Sequence, residues 1–181
     1  MLKLRLPIMP VILVMLLILP RFTYAQVQTE NPYYLTLGAV LQSDFEFAGN
    51  LNELEEEGSG YYLGVGKRLS EIISLELAYT DANDYSNNAG QVSEVNMIEV
   101  SSIARLNQDA VISPFVRLGL YHASADLNNS PGTDDTGFLY GVGLDYEFSK
   151  GHMLRLDFTP GSVDGDDLER LMIGLVVNMN D

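Results

Sequence analysis

Two sets of residues have types and spacings that could carry chemistry. The first is a series of charges at alternate positions of otherwise apolar stretches: Glu76, Glu99, Asp145, Glu147 and Asp157, with Arg68, Arg105, Arg117, Arg155 and Arg170. Charges taken out of water persist only when paired. A set so evenly matched in sign reads as a charge-paired interior, where a solvated face would need no such balance. The second is His122-Ala123-Ser124, a base and a hydroxyl two residues apart, with Asp126 close by. A nucleophilic triad is defined by geometry and not by a dipeptide. The expected reading is therefore an interfacial histidine and a serine at the start of a loop. His152 stands beside a turn with no companion. No catalytic residue, metal ligand or cofactor site is assigned.

The elements that must position these residues are strands. Period-2 alternation of apolar and polar residues marks eight runs, roughly 33–42, 60–69, 71–80, 95–106, 111–123, 137–148, 152–160 and 168–179. Each has about the 9–11 residues that a tilted strand needs to cross a bilayer. Pro114 demotes the start of the fifth run or marks a bulge there. Three connections are tight: Leu69-Ser70-Glu71, Asn107-Gln108-Asp109 and Ser149-Lys150-Gly151. Four are longer: 43–59, 81–94, 124–136 and 161–167. Alternation of short turns and long loops is a mark of outer-membrane barrels, with the short turns periplasmic.

Parity sorts every run into two faces. One is continuously apolar, as in Phe138, Tyr140, Val142, Leu144, Tyr146 and Phe148, or in Leu154, Leu156 and Phe158. The other holds small residues and the charges of the first set. In the fourth run Ser102 falls on the apolar side. Aromatics of the apolar face end the runs: Tyr61, Tyr79, Phe138 and Phe158 towards the long loops, Tyr33 and Phe148 towards the short turns. That is the placement of an aromatic girdle. A soluble barrel would turn the apolar face inward. The glycine-rich, charge-balanced face suits a narrow interior, which favours the membrane orientation: all-β, an eight-stranded antiparallel up-and-down transmembrane barrel.

The first 25 residues differ from the rest. Lys3 and Arg5, an apolar run Val11–Leu19, then Thr23-Tyr24-Ala25 form the basic, apolar and cleavable parts of a signal peptide. Residues 26–181 are then one barrel domain in the outer membrane of a Gram-negative bacterium, reached through the periplasm. Without Lys3, Arg5 and Arg21, 7 basic residues face 25 acidic ones, a net charge of −18. Nucleic acid, whose phosphates require cations, is disfavoured. The absence of cysteine removes disulfides, thiolate metal sites and a cysteine nucleophile.

The segment Tyr140-Gly141-Val142-Gly143-Leu144-Asp145-Tyr146-Glu147-Phe148, with Leu154-Arg155-Leu156-Asp157-Phe158 and Ile173-Gly174-Leu175-Val176-Val177, resembles the last three strands of the OmpA/OmpX-type outer-membrane barrel family. The resemblance implies an eight-stranded barrel with a plugged, polar interior. It also implies that Glu76, Arg117, Asp145 and Arg155 stand where a charge cluster bridges the family's interior. Members usually end in an aromatic that the insertion machinery reads, and Met179 takes that place here. His122-Ala123-Ser124 resembles the His-x-Ser of lipid A deacylase barrels, but lies on the fifth run and not near the C-terminus.

The expected function is therefore a non-catalytic outer-membrane barrel acting through its loops. Its expected surroundings are outer-membrane lipid and lipopolysaccharide, with the insertion machinery as partner during assembly, and a monomer is expected. The long loops are acidic: Asp44, Glu46, Glu53, Glu55, Glu56 and Glu57, then Asp81 and Asp84, then Asp126, Asp134 and Asp135, then Asp164, Asp166 and Asp167. Divalent cations or basic partners could meet them, though no calcium-loop spacing is present. The alternatives are a lipid A-modifying hydrolase using His122 and Ser124, and a soluble periplasmic barrel binding an apolar ligand.

Overall fold

The computed structural model describes residues 32–45, 58–86, 92–107, 110–127, 130–160 and 168–179. The expected signal peptide, the cleavage site and most of the acidic loop residues lie outside them. Eight strands follow one another: β1 (Tyr33–Phe45), β2 (Gly58–Arg68), β3 (Ile73–Ser86), β4 (Val92–Arg105), β5 (Ile112–Leu127), β6 (Ser130–Ser149), β7 (His152–Pro160) and β8 (Leu168–Asn178). Each pairs antiparallel with the next, and β8 closes on β1 to give a barrel. Closure removes the sheet edge that lipid could not satisfy.

The register fixes the stagger of the barrel. Tyr33 opposes Lys67, and the row continues through Leu75, Ser102 and Leu118 to Tyr140. The β6–β7 register, which sets Val142 against Phe158, carries Tyr140 to Pro160; Glu169 and then Asp44 follow. The walk returns to β1 eleven residues beyond its start (44 minus 33), one of them the bulged Leu41. The resulting shear of ten goes with strands tilted by roughly 35–45° and an interior that side chains fill.

The strands differ in length, and here the expected loops need correction. β3 and β4 pair as far as Ser86 and Val92, β4 and β5 as far as Ser93 and Leu127, and β5 and β6 as far as Leu127 and Ser130. The expected loop 124–136 is thus nearly all hairpin, and most of the loop 81–94 is strand. Asp81, Asp134 and Asp135 lie on strands. β7 has only 9 residues against 20 in β6. The described β6–β7 pairing begins at Val142. Strands β3–β6 therefore rise together past their neighbours at this end. Polar and acidic residues extend a strand here because the ladder itself satisfies the backbone, a signal that hydrophobic alternation does not carry.

At the opposite end the connections are short. Gly151 has φ +81° in the two-residue turn between β6 and β7, a left-handed conformation that glycine adopts without a Cβ clash. The expected tight turn at 107–109 is wider, because β4 ends at Arg105 and β5 starts at Ile112. Ser113 Oγ donates to the Asn107 carbonyl, lies 3.3 Å from the Ala110 carbonyl oxygen and holds that corner. Pro114 makes no bulge. It pairs in regular register with Leu144, and its carbonyl accepts from Leu106 N. Its N–H-less nitrogen faces the same neighbour, just past the end of β4, where the loss of a donor is tolerated.

Candidate functional site

The two faces point in the directions that the alternation demands for a membrane. Leu37, Leu63, Val65, Leu77, Ile98, Leu118 and Val142 are among many apolar side chains of the outer surface that stand more than 40% exposed. The charged parity points inward, where Glu76, Glu99, Arg117 and Arg155 are 0% exposed. An inward-apolar soluble barrel is incompatible with this arrangement.

Eight of the ten charges expected on the inward face form one connected set. Arg117, on β5, is its centre. Nη1 lies 2.6 Å from Glu99 Oε1 on β4, and Nη2 lies 3.0 Å from Glu76 Oε1 on β3 and 2.7 Å from Asp157 Oδ2 on β7. Arg155 grips Asp145 with two bonds, Nε to Oδ1 at 2.8 Å and Nη2 to Oδ2 at 3.0 Å, and its Nη1 reaches Glu76 Oε2 at 3.2 Å. Arg105 joins Asp145 at 2.7 Å, and Arg170 joins Glu99 at 2.8 Å. The four arginines and four carboxylates match in charge. Asp157 is held less well than the others. Its one ion pair among the described residues is with Arg117, and that contact is short but off the line of a hydrogen bond.

Glu147 and Arg68 are the exceptions. Glu147 shares the inward parity but is exposed at the short-turn mouth, because β6 carries it beyond the last closed layer of the barrel. Arg68 at the same mouth is half-buried and donates to Asn178 Oδ1 at 2.6 Å.

Sequence reasoning missed the neutral members of the set. Tyr62 OH donates to Glu76 Oε1 at 2.6 Å, lies 3.1 Å from Glu99 Oε1 and accepts from Arg117 at 2.9 Å. Thr36 donates to Glu76, Ser101 accepts from Arg117, and Thr80 accepts from Arg170. Their parity was the available signal, since Tyr62 alternates with Gly64 and Gly66. Apolar layers at both ends of the charges were also missed. Ala82, Val95, Met97, Tyr121, Ala123 and Leu139 are buried together on the long-strand side. Tyr34, Met153 and Val176 are buried together on the short-turn side. The inward face is therefore not uniformly polar.

The other sequence candidates fall on the outer surface. His122 is exposed, and its Nδ1 lies 2.9 Å from Thr136 Oγ1 across the β5–β6 ladder. Ser124 follows on the same face, opposite Asp134. Among the described residues no hydrogen bond joins Ser124 to His122 or to an acid, and no group of three potential metal ligands occurs. The expected girdle residues Tyr33, Tyr61, Tyr79, Phe138, Phe148 and Phe158 all point outward with intermediate or high exposure. Tyr140 and Tyr146 share that face, so aromatic side chains also occupy the middle of β6.

An apolar outer belt around an inward layer of paired charges defines an eight-stranded transmembrane barrel. The outer membrane protein beta-barrel domain family matches residues 10–180, and the chain belongs to it. It is an integral outer-membrane protein of a Gram-negative envelope, surrounded by lipid and lipopolysaccharide. Similar solved structures share the fold. Neisserial surface protein A has TM-score 0.64 and 16% identity, over 82% of this chain and 98% of that one. Ail, the attachment invasion locus protein of Yersinia pestis, bound to the heparin analogue sucrose octasulfate, has TM-score 0.58 and 16% identity, over 80% and 96%. The N-terminal β-barrel domain of Pseudomonas aeruginosa OprF has TM-score 0.56 and 17% identity, over 82% and 98%. No curated protein matches the chain in sequence.

Proposed function

We propose that this protein is a closed, non-catalytic outer-membrane barrel that acts through the surface it shows outside the cell. The observation that carries the reading is the interior: a charge-matched layer between two buried apolar layers. An ion entering it would have to displace paired charges and pass an apolar constriction, and an eight-stranded interior offers little room beyond its own side chains. Purified protein in a planar bilayer is expected to give no steady single-channel current. Regular, selective openings would overturn the reading.

With the interior filled, the ends remain. Residues 43–59, 81–94, 124–136 and 161–167 contain no lysine or arginine. The raised β3–β6 sheet presents Asp81, Glu94 and Asp134 there. That charge favours divalent cations or basic partners over polyanions, unlike the sulfated ligand in the Ail structure. In this reading residues 1–25 are a cleaved signal peptide, residues 26–181 the mature domain, the insertion machinery the partner during assembly, and the monomer the working state. The hydroxyl of Thr136 beside His122 supports an interfacial role for that histidine over a catalytic one. Lipid A incubated with the protein is expected to stay intact; turnover lost on His122→Ala would establish the hydrolase instead.

A further inference from the structure

A group of outward side chains where β2, β3 and β4 leave the apolar band belongs neither to the interior nor to the loops. Tyr61 opposes Asp81, and Asp81 opposes Asn96, in one row across the three strands. Tyr79 sits on the same face as Asp81, two residues nearer the membrane. Tyr61 OH donates to Asp81 Oδ2 at 2.8 Å, and Tyr79 OH lies 3.5 Å from the same oxygen and donates to Asn96 Oδ1. The two rings lie 6.2 Å apart at 49°. Both phenols are thus fixed, while Asp81 Oδ1 and Asn96 Nδ2 keep hydrogen-bonding capacity that no described residue uses. Just below, Leu63, Leu77 and Val100 are 44%, 56% and 45% exposed to the bilayer.

We propose that Tyr61, Tyr79, Asp81 and Asn96 form a binding site for the uncharged sugar of an outer-leaflet glycolipid headgroup. A sugar hydroxyl donates and accepts at once. A carboxylate and an amide in a direct cross-strand pair, with Cβ atoms about 4.5–5.5 Å apart, supply the matching acceptor and donor for neighbouring hydroxyls. The fixed tyrosine rings offer apolar faces with a polar edge, suited to the C–H face of a pyranose. Leu63, Leu77 and Val100 continue the site downward for the acyl chains. Phosphate is the wrong ligand, because Asp81 repels it and residues 43–59, 81–94, 124–136 and 161–167 contain no lysine or arginine, while Arg170 is buried inside the barrel on Thr80 and Glu99. The proposal rests on this end being extracellular.

The test uses the full mature barrel in nanodiscs, with backbone amide shifts as readout. Three bilayers are compared: phosphatidylglycerol alone, phosphatidylglycerol with monogalactosyl diacylglycerol, and phosphatidylglycerol with lipid A and Mg²⁺. The phosphate-free galactolipid is expected to shift the amides of Tyr61, Asp81 and Asn96 saturably. The response of the double variant Asp81→Ala with Asn96→Ala is expected to be about tenfold weaker, as loss of one to two net hydrogen bonds implies. These side chains face outward, so heat-modifiable migration confirms that the variant still folds. No shift with galactolipid, an equal shift in the variant, or a shift only with lipid A and Mg²⁺ would overturn the proposal. Labelling of Ser130→Cys by an impermeant maleimide on intact cells checks the orientation separately; failure to label would sink the extracellular assignment itself.

Discussion

Arg117 touches three carboxylates, a phenol and a serine hydroxyl in a site with no access to solvent. Arg117→Met would take from Asp157 its ion pair and leave Glu76 and Glu99 with one arginine each, and breaking a buried pair costs about 3–5 kcal/mol. Urea-induced unfolding in lipid vesicles measures this. Arg105 makes one ion pair at the mouth and keeps 6% of its surface exposed. Arg105→Met is expected to cost about 1.5–3 kcal/mol, the value of one hydrogen bond to a charged group. Glu147→Gln, outside the set, is expected to stay within about 0.5 kcal/mol of the parent, as surface substitutions do. A cost for Glu147→Gln as large as that for Arg105→Met would mean that the mouth is closed in the membrane.

The inward aromatics of individual strands lie over glycines of their neighbours. The Tyr34 ring covers Gly66, and the three nearest atoms a Cβ there would meet all belong to that side chain; a Cβ at Gly143 would meet the Phe115 ring and, as closely, the Leu156 carbonyl oxygen. Gly66→Ala is expected to destabilise the barrel by about 1–3 kcal/mol through overpacking. Tyr34→Leu in the same chain should recover part of that loss, because neighbouring sites couple. Additive costs in this cycle would show that the ring is not what confines Gly66. The alternating glycines of β6 were plain in the sequence, but not which aromatic fills each gap. The partner comes from the adjacent strand and depends on register.

For the molecule as a whole, the long β5–β6 hairpin is separable from the closed barrel. Residues 124–127 pair with 130–134 on one side and with β4 on the other, beyond the last described contact of β6 with β7. Replacing them with a short turn is expected to leave heat-modifiable migration intact, since the interior charges and the apolar belt lie below. Loss of the folded band would show that the raised sheet is needed for closure.

Strand number, the outward apolar face and the inward set of arginines and carboxylates were determined by the sequence alone. A period of two assigns every residue of a strand to one face, and charge balance says which face can be shut away from water. Pairing within the interior was not determined, because Arg117 meets partners from three other strands and their heights depend on the shear. Nor was the fate of Glu147, whose parity is right but whose layer lies outside the barrel. Tyr62 and the apolar layers escaped because parity alone does not reveal how far a side chain reaches across a closed interior. The raised sheet escaped because its polar strands are held by backbone bonds and carry no hydrophobic signature. Only closure of the barrel, which fixes tilt and stagger together, decided those points.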